Sequence, residues 1–224
     1  MGWVQVTEPF AAAPKLPAFA ATHVAFEPVD PDRGFVELAG LAAVGELALN
    51  DCDELVVADS SFTSASFASD DEMSIEARRC TFDKCDLSLL RFEDFRQCRV
   101  RSAKLAGTDF AGAEIRDVVF ENCALRYTNL RSTKLERVTF LDCDLMEADL
   151  FEAELIDVDF SGSSLRKVNI DRMKATAVDL RHAKELSFGA IGSLEGCLVD
   201  ESQLYALAYD LAFAVGLGIE TREE

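Results

Sequence analysis

Few side chains in this 224-residue chain are able to do chemistry. There are only two histidines, His23 and His182, far apart in sequence. A Ser-His-Asp triad or a zinc site needs imidazoles that converge with other groups, and two distant histidines support neither well. The seven cysteines, Cys52, Cys80, Cys85, Cys98, Cys123, Cys143 and Cys197, include no closely spaced pair of the kind that marks a zinc or redox motif. Asp51-Cys52-Asp53 and Asp142-Cys143-Asp144 flank a thiol with carboxylates, yet neither continues into a calcium-loop spacing. Gly189-Ala190-Ile191-Gly192 lacks the glycine spacing and the Lys-Ser/Thr of a phosphate loop. No catalytic residue, metal or cofactor is expected. What remains is acid. From Asp142 to Asp159 run Asp142, Asp144, Glu147, Asp149, Glu152, Glu154, Asp157 and Asp159 with no base among them. The chemistry open to such a block is electrostatic: a solvated face, or pairing with the Arg and Lys of a partner.

The whole chain shares this bias, with 41 acids against 22 bases and a net charge of −19. Phosphate backbones and anionic membranes repel such a surface, so neither is an expected partner. The 49% hydrophobic content is too high for a disordered acidic tail. No run approaches 18 apolar residues, so no membrane span is expected. The N-terminus lacks a basic region, its apolar stretch Phe10–Ala21 is broken by Pro14, Lys15 and Pro17, and Val6 stands where a myristoylation signal needs Ser or Thr. The cysteines therefore read as reduced thiols of a cytoplasmic protein.

The elements that must position the acids follow a period of five. From Val100 to Leu180, 16 of the 17 residues at multiples of five are Leu, Ile, Val or Phe, and only nine of the other 68 residues in 98–182 are. A second lattice, two places earlier, runs from Cys98 through Ala103, Thr108 and Ala113 to Val178 without one charge. A helix would spiral this pattern around its axis and a strand would switch it from face to face. The chain must instead turn once per five residues, with a large and a small residue inward each time. Asp117–Cys123, Arg137–Cys143 and Asp157–Ser163 echo one another at twenty residues, so four repeats make a four-sided ring, with Phe120, Phe140 and Phe160 stacked and Cys143 over Cys123. The cysteines sit on or near inward positions and read as core.

The runs Ala148-Asp149-Leu150, Thr128-Asn129-Leu130, Cys143-Asp144-Leu145 and Thr108-Asp109-Phe110 resemble the A(D/N)Lxx pattern of pentapeptide repeat proteins over residues 45–182. The resemblance implies an all-β fold, a right-handed quadrilateral β-helix. Upstream the same lattice lies three places out of phase, from Leu47 to Phe92. The slip falls at Phe92–Phe95 and predicts a bulge or short loop. A second defect puts Asp70 and Glu72 on inward positions, and unpaired buried carboxylates are costly, so 69–77 is expected to loop outward. All five prolines lie in the first 31 residues, and 1–44 is expected to be an irregular cap.

After Leu180 the lattice fails, with Glu185 on an apolar position, and 183–224 reads as a separate tail. Asp200-Glu201-Ser202 offers a helix start, and Gly216 a stop. Leu204, Leu207, Ala208, Leu211 and Val215 line one side, Tyr205, Tyr209, Ala212 and Phe213 the other. A helix apolar nearly all round must be covered twice: by the last coil, and by a second copy in a homodimer whose interface is Leu204, Tyr205, Leu207, Ala208, Tyr209, Leu211 and Phe213. A monomer with its tail folded over the helix is the alternative. The segments around this helix also resemble the C-terminal dimer module of the quinolone-resistance pentapeptide proteins.

A rod of about seven coils at ~4.8 Å each is close to the ~34 Å of one B-DNA turn. Asp109, Asn129, Asp149 and Asn169 fall in one outward column, Asp159 and Asp179 in another. The resemblance implies a DNA mimic that binds DNA gyrase or topoisomerase IV and protects it from poisons. The expected contacts are Asp142, Asp144, Glu147, Asp149, Glu152 and Asp157, with Asp70, Asp71 and Glu72 as a second site. Arg126, Arg131, Arg166, Lys167, Arg172 and Lys174 interrupt the acidic columns, which leaves a protein-interaction scaffold with another partner as the rival reading.

Overall fold

The structure is a computed structural model that describes residues 34–49, 52–68, 73–191 and 194–218. The expectations for Asp70, Asp71 and Glu72, and for most of the N-terminal cap, fall outside these residues. The described chain winds into a parallel β-solenoid of about eight turns, closed by one C-terminal helix. One wall is a continuous ladder of Phe35–Ala39, Glu54–Ala58, Ser74–Arg78, Arg91–Arg96, Glu114–Glu121, Lys134–Leu141, Glu154–Asp159, Lys174–Asp179 and Cys197–Leu198, each parallel to the next. A second wall runs from Ala42–Ala48 through Ser61–Ala68, Thr81–Asp83 and Arg99–Arg101 into Glu114–Glu121. The pairings Leu135↔Leu155 and Val138↔Val158 place residues twenty apart on neighbouring rungs.

The five-residue period has a backbone cause. A residue with left-handed backbone recurs two places after each large inward residue, as at Asp117, Asn122, Tyr127, Ser132, Arg137 and Asp142, with φ of 50–58°. Asn and Asp tolerate this region and most other residues do so at a cost; ordered coils above and below hold them there. Between the corners the large lattice points inward. Phe120, Phe140 and Phe160 stack with centroids 5.0 and 5.1 Å apart and rings 5° from parallel, the rung spacing of a ladder. The small lattice also bonds. The hydroxyls of Thr108, Thr133 and Ser163 donate to the carbonyls of Leu87, Phe110 and Phe140 in the coil before, at 2.8, 2.6 and 2.9 Å. Cys143 directs its thiol to the Phe120 carbonyl in the same way. These buried hydroxyls and the thiol are thereby satisfied.

Three expectations change and one holds. The stack begins before residue 45, because Val36 and Leu38 alternate inward and Phe35–Ala39 pairs with Glu54–Ala58. Residues 73–77 are not an outward loop: Met73, Ile75 and Ala77 are buried and Ser74–Arg78 is a strand paired on both sides. At the phase slip the expected bulge forms, set within a strand, Arg91–Arg96. Its pairing jumps from Ile75↔Phe92 to Glu76↔Asp94, so Glu93 is a bulge and both Phe92 and Phe95 face the core. The stack also continues past 182. Lys184 bridges Ser164, Phe188–Ile191 pairs with Val168–Ile170, and Cys197–Leu198 pairs with Val178 and Asp179. Here the phase shifts, so that Glu185 lies exposed at a corner with φ 45° while Leu186 packs against the core.

The helix, α1, spans Glu201–Ala214. Asp200 caps it with a capping box to Gln203. It ends at Gly216, φ 79°, where Leu217 and Gly216 donate to the carbonyls of Ala212 and Phe213, a Schellman motif. Its covered side is narrower than the apolar pattern suggests. Only Gln203 and Leu207 are buried, and Leu204 and Ala208, on the same side as Leu207, are exposed.

Candidate interaction surfaces

The outward residues of the coils carry the candidate site, and cross-coil ion pairs dominate their geometry. Of the six acids expected to meet a partner, five already meet a cation on another coil. Asp149 Oδ2 lies 2.8 Å from Arg131 Nη1, Glu152 Oε1 3.0 Å from Arg172 Nη1, Asp142 Oδ1 3.3 Å from Lys184 Nζ and Glu147 Oε1 3.9 Å from Lys167 Nζ. Asp144 pairs with Arg126. Asp157 has no ion pair among the described residues and is half-buried at a corner of φ 58°. The sequence block 142–159 is free of bases, but the coils above and below it are not. Such exposed pairs contribute only about 0–1 kcal/mol each to stability; their larger effect is to cancel the field.

Two further networks do the same higher in the stack. Asp94, nearly buried, lies between Arg78, at 3.0 Å, and Arg96, which also reach Glu76 and Glu114 at 2.7 Å. This five-residue chain crosses three coils at the bulged strand. Arg137 bridges Asp117 and Glu136, and Glu136 also meets Arg116 at 2.8 Å. The Arg137 hydrogen bond, against weak burial, holds the Glu136 carboxyl below its usual value.

The column Asp109, Asn129, Asp149, Asn169 forms as expected, but it is not a row of free carboxylates. The Asn129 amide donates to Asp109 at 2.8 Å and the Asn169 amide to Asp149 at 2.9 Å. The same side chains accept from the backbone N–H two residues on, at Ala111, Arg131, Phe151 and Asp171. Alternation of acid and amide spares the column a like-charge contact on adjacent rungs. In the other column Asp179 is buried and bonded to Arg181.

The charge is therefore segregated along the rod. Residues 78–184 hold nineteen acids and nineteen bases and no net charge. Residues 1–77 carry −12, and 34–77 have ten acids and no base. Residues 185–224 carry −7. In the first coils Glu37, Glu46, Asp53 and Glu54 are exposed and meet no cation among the described residues. Counting charge by stretches of sequence hid this end; the absence of any Lys or Arg from 34 to 77 was the signal that could have found it.

The opposite end is apolar. On α1 Leu204, Tyr205, Tyr209 and Phe213 are 50–79% exposed, as are Val215 and Leu217 beyond it. Of the remaining residues expected at a dimer interface, Leu207 is buried, Leu211 half-buried and Ala208 exposed. Gln203 fixes the helix to the rod by donating its amide to the last-corner carbonyls of Leu180 and Ala183 at 2.6 and 3.1 Å. Among the described residues no cluster of three His, Cys, Asp or Glu side chains could hold a metal, and no helix is long and apolar enough to cross a membrane.

The chain is similar to several solved structures. A trypsin-treated variant of QnrB1, a plasmid-mediated fluoroquinolone resistance protein, superposes with a TM-score of 0.58 at 18% identity, over 84% of this chain and 100% of that one. A second trypsin-treated QnrB1 variant gives 0.45 at 19% identity with the same coverage. HetL, a pentapeptide repeat protein involved in heterocyst differentiation regulation in the cyanobacterium Nostoc sp. strain PCC 7120, gives 0.43 at 18% identity over 73% of this chain and 83% of that one. No curated protein sequence matches the chain. Residues 93–170 match the family described as Pentapeptide repeat region. With the lattice, the left-handed corners and the twenty-residue rungs, that match makes this stretch of the chain a pentapeptide repeat region within a parallel β-solenoid.

Proposed function

We propose that the chain is a non-catalytic, protein-binding rod that offers DNA-like negative charge to a type II topoisomerase, DNA gyrase or topoisomerase IV, in the cytoplasm, and protects that enzyme from a topoisomerase poison. The observation that carries this reading is the base-free acidic end on a rigid β-shaft. About eight turns at ~4.8 Å give roughly 38 Å, near one ~34 Å turn of B-DNA. A groove built for DNA pairs Arg and Lys with such a surface. That QnrB1 is a fluoroquinolone resistance protein suggests the enzyme and the class of poison. Glu37, Glu46, Asp53 and Glu54, with Asp70, Asp71 and Glu72 from the same stretch, are the first docking surface. Asp142, Asp144, Glu147, Asp149, Glu152 and Asp157 are a weaker second one, because five of them must exchange an internal cation for the partner's. A second copy covers Tyr205, Tyr209 and Phe213 and makes a homodimer with an acidic end at each tip. Gyrase supercoiling and poison-induced cleavage, measured with and without micromolar protein, test the proposal. The absence of both inhibition and protection, with gyrase and with topoisomerase IV alike, sinks it. The neutral shaft favours one other reading, a scaffold for a different protein; binding to such a partner that is indifferent to salt supports it.

A further inference from the structure

Four of the seven cysteines meet in two vertical pairs. Cys80 and Cys98 lie on adjacent rungs: Thr81 pairs with Arg99 beside them, Arg99 N–H donates to the Cys80 carbonyl at 3.0 Å, and Cys80 N–H reaches Cys98 Sγ at 3.4 Å. Cys123 and Cys143 repeat the arrangement, with Ala124 bridging Asp144 and Asp144 N–H donating to the Cys123 carbonyl at 3.0 Å. Adjacent rungs lie ~4.8 Å apart, inside the ~4.4–6.8 Å between Cα atoms that a disulfide spans. All four thiols are directed at carbonyls of the coil before, those of Cys80, Cys98, Cys123 and Cys143 at Val57, Ala77, Val100 and Phe120. The neighbouring Cys98 thiol holds Cys80 below its usual value despite burial, and Cys143 does the same for Cys123. Burial first, then the Cys80 contact, raise Cys98; the Cys123 contact and burial raise Cys143. Each pair thus has a better nucleophile and a held-back partner. Among the described residues the other three cysteines have no such neighbour. Burial raises Cys52 and pushes Cys85 and Cys197 up to about 11.

We propose that Cys80 with Cys98, and Cys123 with Cys143, are two inter-coil dithiols that close to disulfides under a small peroxide, locking neighbouring coils together. The Cys80 or Cys123 thiolate attacks one peroxide oxygen, the O–O bond breaks, and a sulfenic acid and hydroxide form. The partner thiolate then attacks the sulfenic sulfur, forming the S–S bond and releasing the second oxygen as hydroxide. The two thiol protons convert both hydroxides to water, so two electrons pass from the pair to the peroxide. All four thiols are buried, so the reaction waits on local separation of coils, and its rate reports that opening.

The test is hydrogen peroxide on the full chain, read by intact mass and by peptide mapping after denaturing alkylation. The expected result is a loss of about 2 Da per bridge. Cross-linked peptides join Cys80 to Cys98 and Cys123 to Cys143, with Cys52, Cys85 and Cys197 still alkylated. C98A and C143A each delete one bridge and keep the other. Closing loops of this length raises the melting temperature by roughly 6 °C or more per bridge. Three results overturn the proposal: bridges to the other three cysteines, sulfinic or sulfonic products without bridges, or thiols that stay unreacted even in sub-denaturing urea where coils open.

Discussion

Phe140→Ala removes the middle ring of the Phe120–Phe140–Phe160 stack. Phe140 is 1% exposed, with a ring 5.0 Å below it and another 5.1 Å above. Truncating a buried Phe to Ala costs about 3–5 kcal/mol. Each stacked pair is worth about 0.5–1.5 kcal/mol beyond burial, and two are lost at once, which places the change near the top of that range. The neighbouring rungs are held by continuous ladders and cannot collapse into the void. Phe140→Leu keeps the lattice and loses both stacked pairs, so it costs about 1–3 kcal/mol. Urea unfolding of the three proteins gives the two differences. Because each coil contacts only its neighbours, the damage is local: amide exchange should quicken in Glu114–Leu141 and Glu154–Asp159 while Phe35–Ala68 keeps its protection. An Ala cost below ~1.5 kcal/mol, or an equal loss of protection in every coil, refutes the view of the core as a stack of close-packed rings.

Gly196→Ala sets a Cβ 2.0 Å from the Ala175 carbonyl oxygen at φ 83°; left-handed strain alone costs ~1–2 kcal/mol, so the last coil should lose exchange protection first. Gln203→Ala frees the Leu180 and Ala183 carbonyls and should cost about 1–3 kcal/mol, seen as loss of helical circular dichroism below the main transition. Tyr205→Ser with Phe213→Ser should convert dimer to monomer in sedimentation with little change in solenoid melting, since both side chains are more than 70% exposed; unchanged sedimentation removes this face from the interface. Stability should fall in acid. Burial pushes Asp179 up, but its bonds to Arg181 outweigh burial and leave it below 3.8, and Arg137 holds Glu136 below 4.5. Carboxyls lowered in the folded state stabilise fully above their unfolded values and lose that contribution as pH drops through the folded ones. Urea midpoints should therefore be flat above about pH 5 and fall progressively below pH 4; a midpoint that rises in acid contradicts these pairs.

The lattice made the solenoid legible, because two inward residues per corner leave a period that no helix or single strand produces. The Phe stack and the Asp-Asn column followed from the twenty-residue echo. The ends were harder. Val36 and Leu38, or Leu186 after a phase shift, continue the stack on too few repeats to register as a lattice, and pairing with ordered neighbours stabilises them where local pattern is weak. The acidic block was legible as composition and misleading as geometry. Arg126 and Arg131 lie eighteen residues from their partners Asp144 and Asp149, a distance that only the winding of the chain converts into contact. The narrow covered side of α1 was illegible because apolar residues mark both faces alike.

The alternating column also constrains how the rod changes length. Asn129 over Asp109, and Asn169 over Asp149, work as donor on acceptor. Deleting one twenty-residue coil between them would bring Asp149 down onto Asp109, two acceptors with no proton to share. Deleting two would restore the donor. On this face the solenoid can lose the Asp149 coil alone, since Asn169 over Asn129 still sets an amide donor on an amide oxygen, but it can lose the Asn129 coil without conflict only together with an acidic neighbour, in a forty-residue step.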